Sequence, residues 1–308
     1  MRACIDIGGT KVSVSLNDAA RPLELLATRH EPTAHSGPPE AVALQCIRMV
    51  DEACAELRVD PAVVQAVGVA APGPFVMRGD CIELATPNIC GGLPGSGRQL
   101  PNDWRTAPIE APLRRRFTRV RVENDAVAAL EAERLWGALQ GVEHCAYVTW
   151  STGVGCGLCV GGKVLRGKNG NAGHLGHAFV SDNDQVVCGC GNVGDLEALV
   201  GGNSLERRLG EPAAALFARA AQGDAKALAM VDELCRVMGR ALYDITAILD
   251  LQRISLGGPV FLMNQALLLP RLSTELHSHL PSMTEGCELV PAGLGRRTGD
   301  FGALALVG

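Results

Sequence analysis

Two glycine turns carry the residue types that bind phosphate. Gly8–Gly9–Thr10 follows a short run rich in apolar residues, and Ser151–Thr152–Gly153 follows a second run of the same kind. In a tight turn the backbone N–H groups form a concave set of donors for phosphate oxygens, and a side chain in place of glycine would block the approach. Taken singly, each turn is also compatible with an ordinary β-hairpin. Neither matches a Walker A loop or a dinucleotide-binding glycine pattern, and we expect the pair to hold a phosphate chain from two sides.

A carboxylate lies just before the first of these turns. Asp6 belongs to an apolar run, and in such a strand it must be hydrogen-bonded, paired or bound to a cation. Beside a phosphate site the expected cation is the Mg²⁺ that accompanies ATP, held through water. The alternative is a structural aspartate that stabilises the turn.

A second carboxylate, Asp125, follows a predicted strand in the segment Glu123–Asn124–Asp125, where a helix is expected to begin. Asparagine and aspartate are favoured at helix N-termini, so this pair is compatible with a simple cap. The functional alternative is a general base for a substrate hydroxyl, with Asn124 hydrogen-bonded to a sugar. Taken alone, these residues favour the cap.

The elements around these residues alternate between strands and helices. Apolar residues recur with a helical period at residues 38–60 and at about 225–249, while short apolar runs predict strands between them. The alternation predicts an α/β fold, and 308 residues suggest about two domains. Residues 166–203 are rich in Gly, Asn and Asp and show no regular period.

Charge and cysteine content exclude several classes of protein. Twenty-eight Lys and Arg against 33 Asp and Glu give a net charge of -5, which does not favour nucleic acid or an anionic membrane as a partner. We expect no membrane span and no export leader, and therefore a cytoplasmic protein. Most of the 12 cysteines are expected to be buried thiols. Cys188 and Cys190, in a glycine-rich loop, suggest another role.

Five segments resemble, in the same order, the motifs of the ROK family of sugar kinases, within the actin, Hsp70 and hexokinase superfamily. They correspond to the first phosphate motif, the catalytic segment, the second phosphate motif, the family signature and the adenosine motif. Their positions are residues 5–11, 123–126, 151–157, 172–177 with 188–197, and 256–260. The motifs cover most of the chain, and the resemblance favours the base over the cap for Asp125.

The resemblance implies a two-domain fold of the ribonuclease H-like type, with sugar and ATP in an inter-domain cleft. We expect a first α/β domain at residues 1–118, completed by about residues 295–308, and a second at 119–294 that carries the sugar and metal loop. The implied reaction is ATP-dependent phosphorylation of a hexose 6-hydroxyl, with Asp125 accepting its proton. Relatives are commonly dimers, so a homodimer is expected by analogy.

Residues that match the motif positions are implied to contact the two substrates. Amide and carboxylate side chains suit a sugar because its hydroxyls both donate and accept hydrogen bonds. The implied sugar-binding residues are Gly73, Asn88, Asn124, Asp125, His174, His177 and Glu197. The implied nucleotide-binding residues are Asp6, Gly8, Gly9, Thr10, Lys11, Thr152, Gly153, Gly155, Gly257 and Gly258.

The resemblance also implies a structural zinc, which relatives hold with one histidine and three cysteines. His177, Cys188 and Cys190 occupy three of these positions, but Asp195 stands at the third cysteine position. An aspartate oxygen can complete a tetrahedral zinc site. Two outcomes stay open, a His–Cys–Cys–Asp zinc site and a metal-free turn. In both, the segment is expected to place His177 and Glu197 against the sugar.

The sugar is indicated by His174, which stands where glucose-specific relatives usually carry glutamate. The segment 172–177, its short loop to the cysteine pair and residues 89–93 resemble the bacterial N-acetylmannosamine kinases of the family. Glucose or another hexosamine is the second choice, and His174 could also merely pack beside the metal loop. The family includes non-catalytic sugar sensors and repressors, but we expect no DNA-binding segment before Gly8. Asp6, Asp125 and both glycine turns are present, which favours a kinase over a non-catalytic sensor.

Overall fold

The computed structural model describes residues 1–21, 23–93, 99–182 and 185–308. The chain forms two compact units. The first unit contains Met1–Ala132, Arg166–Ala172 and Gly299–Gly308, and the second contains Glu133–Leu165 and Gly173–Thr298. Each unit combines a five-stranded sheet with helices, so the predicted α/β class is confirmed.

The strands are short, as the short apolar runs in the sequence predict. Their bounds, in chain order, are β1 Arg2–Ile7, β2 Lys11–Asn17, β3 Leu25–Pro32, β4 Ala66–Ala71, β5 Phe75–Arg78, β6 Cys81–Leu84, β7 Ala107–Pro108, β8 Arg119–Asn124, β9 Cys145–Trp150, β10 Val154–Val160, β11 Lys163–Val164, β12 Arg253–Gly257 and β13 Glu288–Pro291.

The helices vary from one turn to seven turns. Their bounds are α1 Ala41–Leu57, α2 Glu110–Arg116, α3 Asp125–Trp136, α4 Leu196–Val200, α5 Gly202–Leu209, α6 Ala213–Ala221, α7 Ala225–Leu249, α8 Pro259–Met263, α9 Gln265–His277, α10 Pro281–Thr284 and α11 Thr298–Ala305. Short 3-10 helices lie at Pro61–Val63, Leu175–His177 and Gly295–Arg297. No helix of the described part of the chain is both long enough and apolar enough to cross a membrane.

The sheet of the first unit has the order β3-β2-β1-β4-β8. β1 and β2 form an antiparallel hairpin, while β4 runs parallel to both β1 and β8. All six residues of β4 are buried, as expected for a central parallel strand. The C-terminal helix packs closely on this strand, because a Cβ on Gly68 would lie 1.9 Å from the carbonyl oxygen of Ala303.

The sheet of the second unit repeats this plan in the order β11-β10-β9-β12-β13. β9 and β10 form an antiparallel hairpin, and β12 runs parallel to β9 and β13. The long helix α7 packs against α9 and α6 and buries an apolar face that includes Val231, Leu234 and Met238. In both sheets a glycine turn therefore joins the first strand to the second, which explains the repeated motif in the sequence.

Several local differences separate the predicted from the observed elements. The helix that the sequence predicts from Asn124 to Gln140 spans only Asp125–Trp136, and the irregular region predicted at 166–203 contains α4 near its end. The stretch 90–108 is rich in Gly and Pro, which predicts a surface loop, and part of it lies outside the described residues. The strand Arg119–Asn124 belongs to the first compact unit because β8 pairs with β4, whereas the predicted boundary after residue 118 assigns it to the second domain.

Candidate active site

The first glycine turn is fixed from several sides. Gly8 N–H donates to the carbonyl of Lys11 over 2.8 Å, while the hydroxyl of Thr33 donates to the Gly8 carbonyl over 2.7 Å. The Nε2–H of His35 donates to the Gly9 carbonyl over 3.0 Å. A Cβ on Gly9 would lie only 2.6 Å from the Cβ of Asn88. The structure thus brings a predicted phosphate-binding turn against a predicted sugar-binding residue.

Thr33 and His35 were not identified from the sequence. Both lie after β3 and reach the turn across more than twenty residues, so no local spacing signals their role. Thr10 and Lys11 are exposed at the end of the hairpin, where their side chains are accessible.

Asp6 lies in β1, opposite Ser13 of β2. Burial, together with the negative charges of Asp125 and Asp300, raises the pKa of Asp6 to about 7, and the positive charge of Lys11 only partly opposes this shift. Such a carboxyl is destabilised as an anion and is stabilised by an added cation. Its surroundings therefore suit the predicted Mg²⁺.

The two residues at the junction of β8 and α3 are placed differently. Asn124 is buried, and its Oδ1 accepts the N–H of Ala126 over 2.9 Å. Asp125 is exposed, and its Oδ1 accepts the same N–H over 2.8 Å. The capping contact is thus shared by both side chains, so an exposed Asp125 is compatible with both the capping and the catalytic interpretations.

In the first unit, the turn that contains Gly73 is held by the side chain of Asn171. The Asn171 side chain accepts the N–H of Phe75 over 2.7 Å and donates to the carbonyl of Phe75 over 2.8 Å. Gly170, with φ of 80°, lies under the Phe75 ring, because a Cβ there would be 3.2 Å from Cδ2. Asn171 is 96 residues from its partner, so no local spacing in the sequence signals this contact.

Ion pairs join the same segment to the strand that ends in Asn124. Arg166 donates through Nε to the buried carboxylate of Glu123. Arg121 completes the cluster by donating to Glu131 over 2.8 Å. Glu123 is therefore occupied by arginines, which fix the end of the strand that leads to Asn124.

The second glycine turn lies between β9 and β10, where Ser151 N–H donates to the carbonyl of Gly153 over 2.9 Å. Thr152 is exposed at its tip, and Gly155 follows in β10, paired with Thr149. The turn has the same place in its sheet as the first turn.

The predicted adenosine motif lies beside this turn. Gly258 has φ of 83°, and a Cβ there would lie 2.4 Å from the carbonyl oxygen of Trp150. A Cβ on Gly257 would lie 2.3 Å from the hydroxyl of Tyr147. Both glycines are thus required by close packing against β9, and within the second unit the structure brings the two predicted nucleotide motifs together.

The four predicted metal ligands also converge, with their ligand atoms all within 4.8 Å of one another. Nδ1 of His177 lies 3.1 Å from Oδ2 of Asp195 and 3.6 Å and 3.9 Å from the sulfurs of Cys190 and Cys188. The Cys190 sulfur is 3.6 Å from Oδ2 of Asp195. Zinc bonds of about 2.3 Å to sulfur and about 2.0–2.2 Å to nitrogen or oxygen put tetrahedral ligands about 3.3–3.8 Å apart. The donor set therefore fits zinc.

Asp195 has a second task that a cysteine could not perform. It is fully buried, and its Oδ1 accepts the N–H of Ala198 over 2.8 Å as the cap of α4, while Oδ2 faces the other ligands. The hydrogen bond with Asp195 raises the pKa of His177 although burial opposes it, and burial raises the pKa of the Cys188 thiol. A metal ion must displace these protons to bind.

His174 stacks on His177 with ring centroids 5.9 Å apart. Its Nε2 is buried and finds no hydrogen-bond partner among the described residues. Burial, followed by the neighbouring His177, lowers the pKa of His174, so the ring is neutral. A buried ring nitrogen without a protein partner is suited to a hydrogen bond from a ligand.

Comparison with known proteins finds a matching family, two similar relatives and a similar solved structure. A sequence model of the ROK family matches residues 2–308. A glucokinase of Aeropyrum pernix is 32% identical over 276 residues, covering 81% of each chain. An N-acetylmannosamine kinase of Escherichia fergusonii is 33% identical over 270 residues, covering 83% of this chain and 82% of the relative. The ROK hexokinase structure from Thermus thermophilus has a TM-score of 0.78 at 33% identity, covering 99% of this chain and 97% of that chain.

Proposed function

We propose that this chain, which belongs to the ROK family and is an ATP-dependent sugar kinase, phosphorylates the 6-hydroxyl of N-acetylmannosamine. The predicted family, its actin/hexokinase-like fold and its enzyme class are confirmed. The observation that carries the kinase mechanism is the pair of glycine turns at the same position in two sheets of the same strand order. The identity of the sugar is the more specific part of the proposal.

N-acetylmannosamine is supported by the Escherichia fergusonii relative and by His174. The uncharged ring of His174 has a buried nitrogen that finds no partner within the described part of the chain, which suits a neutral acetamido group. Glucose is the second candidate, supported by the Aeropyrum pernix relative.

In the proposed reaction, Asp125 accepts the proton of the 6-hydroxyl as that oxygen attacks the γ-phosphorus of ATP and ADP leaves. Phosphoryl transfer depends mainly on positioning and on stabilisation of the phosphate charge. The two glycine turns would bind the phosphates through their N–H groups, and Gly257 and Gly258 would border the adenosine. Asn88 and Asn124 would orient the sugar hydroxyls together with Gly73, His177 and Glu197.

Mg²⁺ would be held by Asp6, whose raised pKa indicates a carboxylate in need of a cation. When bound, the ion neutralises phosphate charge.

A pH dependence of nucleotide affinity follows from Asp6. Because its pKa is about 7, Asp6 is protonated at lower pH, and the proton competes with the Mg²⁺–nucleotide complex. We expect the KM for MgATP to rise as pH falls below about 7, and protonation of Asp6 alone should contribute up to about tenfold per pH unit. Steady-state kinetics between pH 5.5 and 8.5 measure this change in KM.

The control is Asp6→Asn. This variant should have a higher KM for MgATP at every pH, and its KM should lack the part of the pH dependence that comes from Asp6. The ionisation of ATP itself affects both proteins equally, so the difference between their slopes reports Asp6. Identical slopes for the two proteins would contradict the Mg²⁺ role.

Zinc is proposed as a structural ion of His177, Cys188, Cys190 and Asp195, and we expect about one equivalent per chain. Metal analysis of protein purified without chelator measures it. In Asp195→Asn the Oδ1 cap of α4 is kept, because asparagine is an equally good cap, but the anionic ligand is lost. Metal content should fall in this variant.

The complementary variant is Asp195→Cys, which restores a third thiolate and loses the cap. It should keep its zinc and lose about 1 kcal/mol of stability. Full activity in protein without zinc would instead identify the segment as a metal-free turn.

A further inference from the structure

Glu197 lies between the metal cluster and the second glycine turn. Its Oε2 accepts the N–H of Val154, the first residue after the turn, over 3.0 Å. Its Oε1 lies 3.7 Å from the sulfur of Cys188. A Cβ on Gly153 would be only 2.3 Å from Oε2, so this glycine lets the carboxylate lie directly on the turn. The family resemblance implies only a sugar contact for Glu197.

The backbone after α4 holds the same turn. Gly202 N–H donates to the carbonyl of Ser151 over 2.9 Å, and Asn203 N–H donates to the carbonyl of Thr152 over 3.0 Å. A Cβ on Gly201 would lie 2.7 Å from the carbonyl oxygen of Glu197. Two carbonyls and one N–H around the turn are therefore fixed by residues 197–203.

Helix α4 connects these contacts to the metal cluster. Its N-cap is Asp195, whose two oxygens cap the helix and face His177, and the helix is only five residues long. The N–H of Leu196 donates to the carbonyl of Ala178 over 2.9 Å, which fixes the start of the helix to the segment that carries His177. Helix α4 is therefore hydrogen-bonded to the His177 segment at its start, and the residues that follow it are hydrogen-bonded to the glycine turn.

We infer that the metal centre positions the second phosphate turn, with Glu197 as the positioning residue and α4 as the connection. The metal then supports binding of nucleotide phosphates directly, independently of the sugar. This inference rests on the proposed function and on the proposed zinc.

The test measures affinity for ADP and for adenosine by calorimetry without sugar, in zinc-loaded and chelator-treated protein. We expect metal removal to weaken ADP binding about tenfold or more and to change adenosine binding by less than twofold, because Gly257 and Gly258 pack on β9 rather than on α4. Equal ADP affinity in both forms would overturn the inference.

Variants of Glu197 keep the test decisive if metal-free protein unfolds. Glu197→Leu removes the acceptor for Val154 N–H and should weaken ADP binding about tenfold with zinc still bound. Glu197→Gln keeps an acceptor and should restore ADP affinity to within about threefold of wild type. A Glu197→Leu protein that retains zinc and wild-type ADP affinity overturns the inference.

Leu268→Ala is the stability control, since Leu268 is a fully buried residue of α9 in the same unit and its truncation lowers Tm without touching the turn. ADP affinity should be unchanged in it, and an equal loss of affinity there would assign the effect to stability and overturn the inference. If zinc-loaded wild type binds no ADP and phosphorylates no sugar, the proposed function itself fails. If it does both and only the metal and Glu197 effects are missing, the inference alone fails.

Discussion

Asp125→Asn is expected to lower kcat by about 10²–10⁴-fold, the contribution typical of a general base. The amide cannot accept the proton of the 6-hydroxyl. Its oxygen can still accept the N–H of Ala126, as Oδ1 of Asp125 does now, and Asn124 caps the same N–H. The fold, the Tm and the affinity for ADP should therefore be retained. Coupled measurement of ADP release, with calorimetry for ADP binding, checks each of these.

The matched control is Asp51→Asn, a partly exposed carboxylate of the same unit that forms an ion pair with Arg116. Surface pairs contribute about 0–1 kcal/mol, so kcat should be unchanged. An Asp125→Asn enzyme with near-normal kcat would contradict the mechanism and leave Asp125 as a capping residue.

The second large effect concerns sugar choice and His174. A site that hydrogen-bonds a substituent rejects analogues without it, because its buried polar groups are left unpaired. The acetamido group of N-acetylmannosamine is axial at C2, so its pocket opens on a different side of the ring than glucose or N-acetylglucosamine requires. We expect kcat/KM for N-acetylmannosamine to exceed that for either sugar by at least about tenfold.

His174→Glu should narrow this gap, because a carboxylate changes both the donor pattern and the charge beside His177. His174→Gln keeps an uncharged hydrogen-bonding side chain and should preserve the preference. Zinc content is measured in both variants, so that a disturbed metal site is not mistaken for altered specificity. An unchanged gap in His174→Glu would assign His174 to packing alone.

Patterns over a few residues were sufficient to predict those parts of the site that are formed by neighbours in the sequence. The glycine turns were predicted because each interrupts an apolar strand, and the Asn124–Asp125 junction was predicted because polar cap residues precede a helical period. The repeated strand–turn segments were visible in the sequence, but the common strand order of the two sheets was found only in the structure. These features depend on neighbours within a few residues.

Contacts between distant segments could not be predicted in this way. Asn171 and Phe75 are 96 residues apart, and Glu197 and Val154 are 43 apart, so no periodicity connects them. The small sheet of β5, β6 and β7 was missed because its strands are at most four residues long. The metal ligands could be listed from the family resemblance, but the double role of Asp195 required its two oxygens to be located.

The central claim is that this kinase phosphorylates the 6-hydroxyl of N-acetylmannosamine. Its most direct test is ADP release from MgATP with purified wild-type protein, comparing N-acetylmannosamine, its 6-deoxy analogue, glucose and N-acetylglucosamine at equal concentrations. The predicted result is the highest kcat/KM with N-acetylmannosamine and no ADP release above background with the 6-deoxy analogue, which lacks the acceptor. A higher kcat/KM with glucose, or undiminished ADP release with the 6-deoxy sugar, would contradict it.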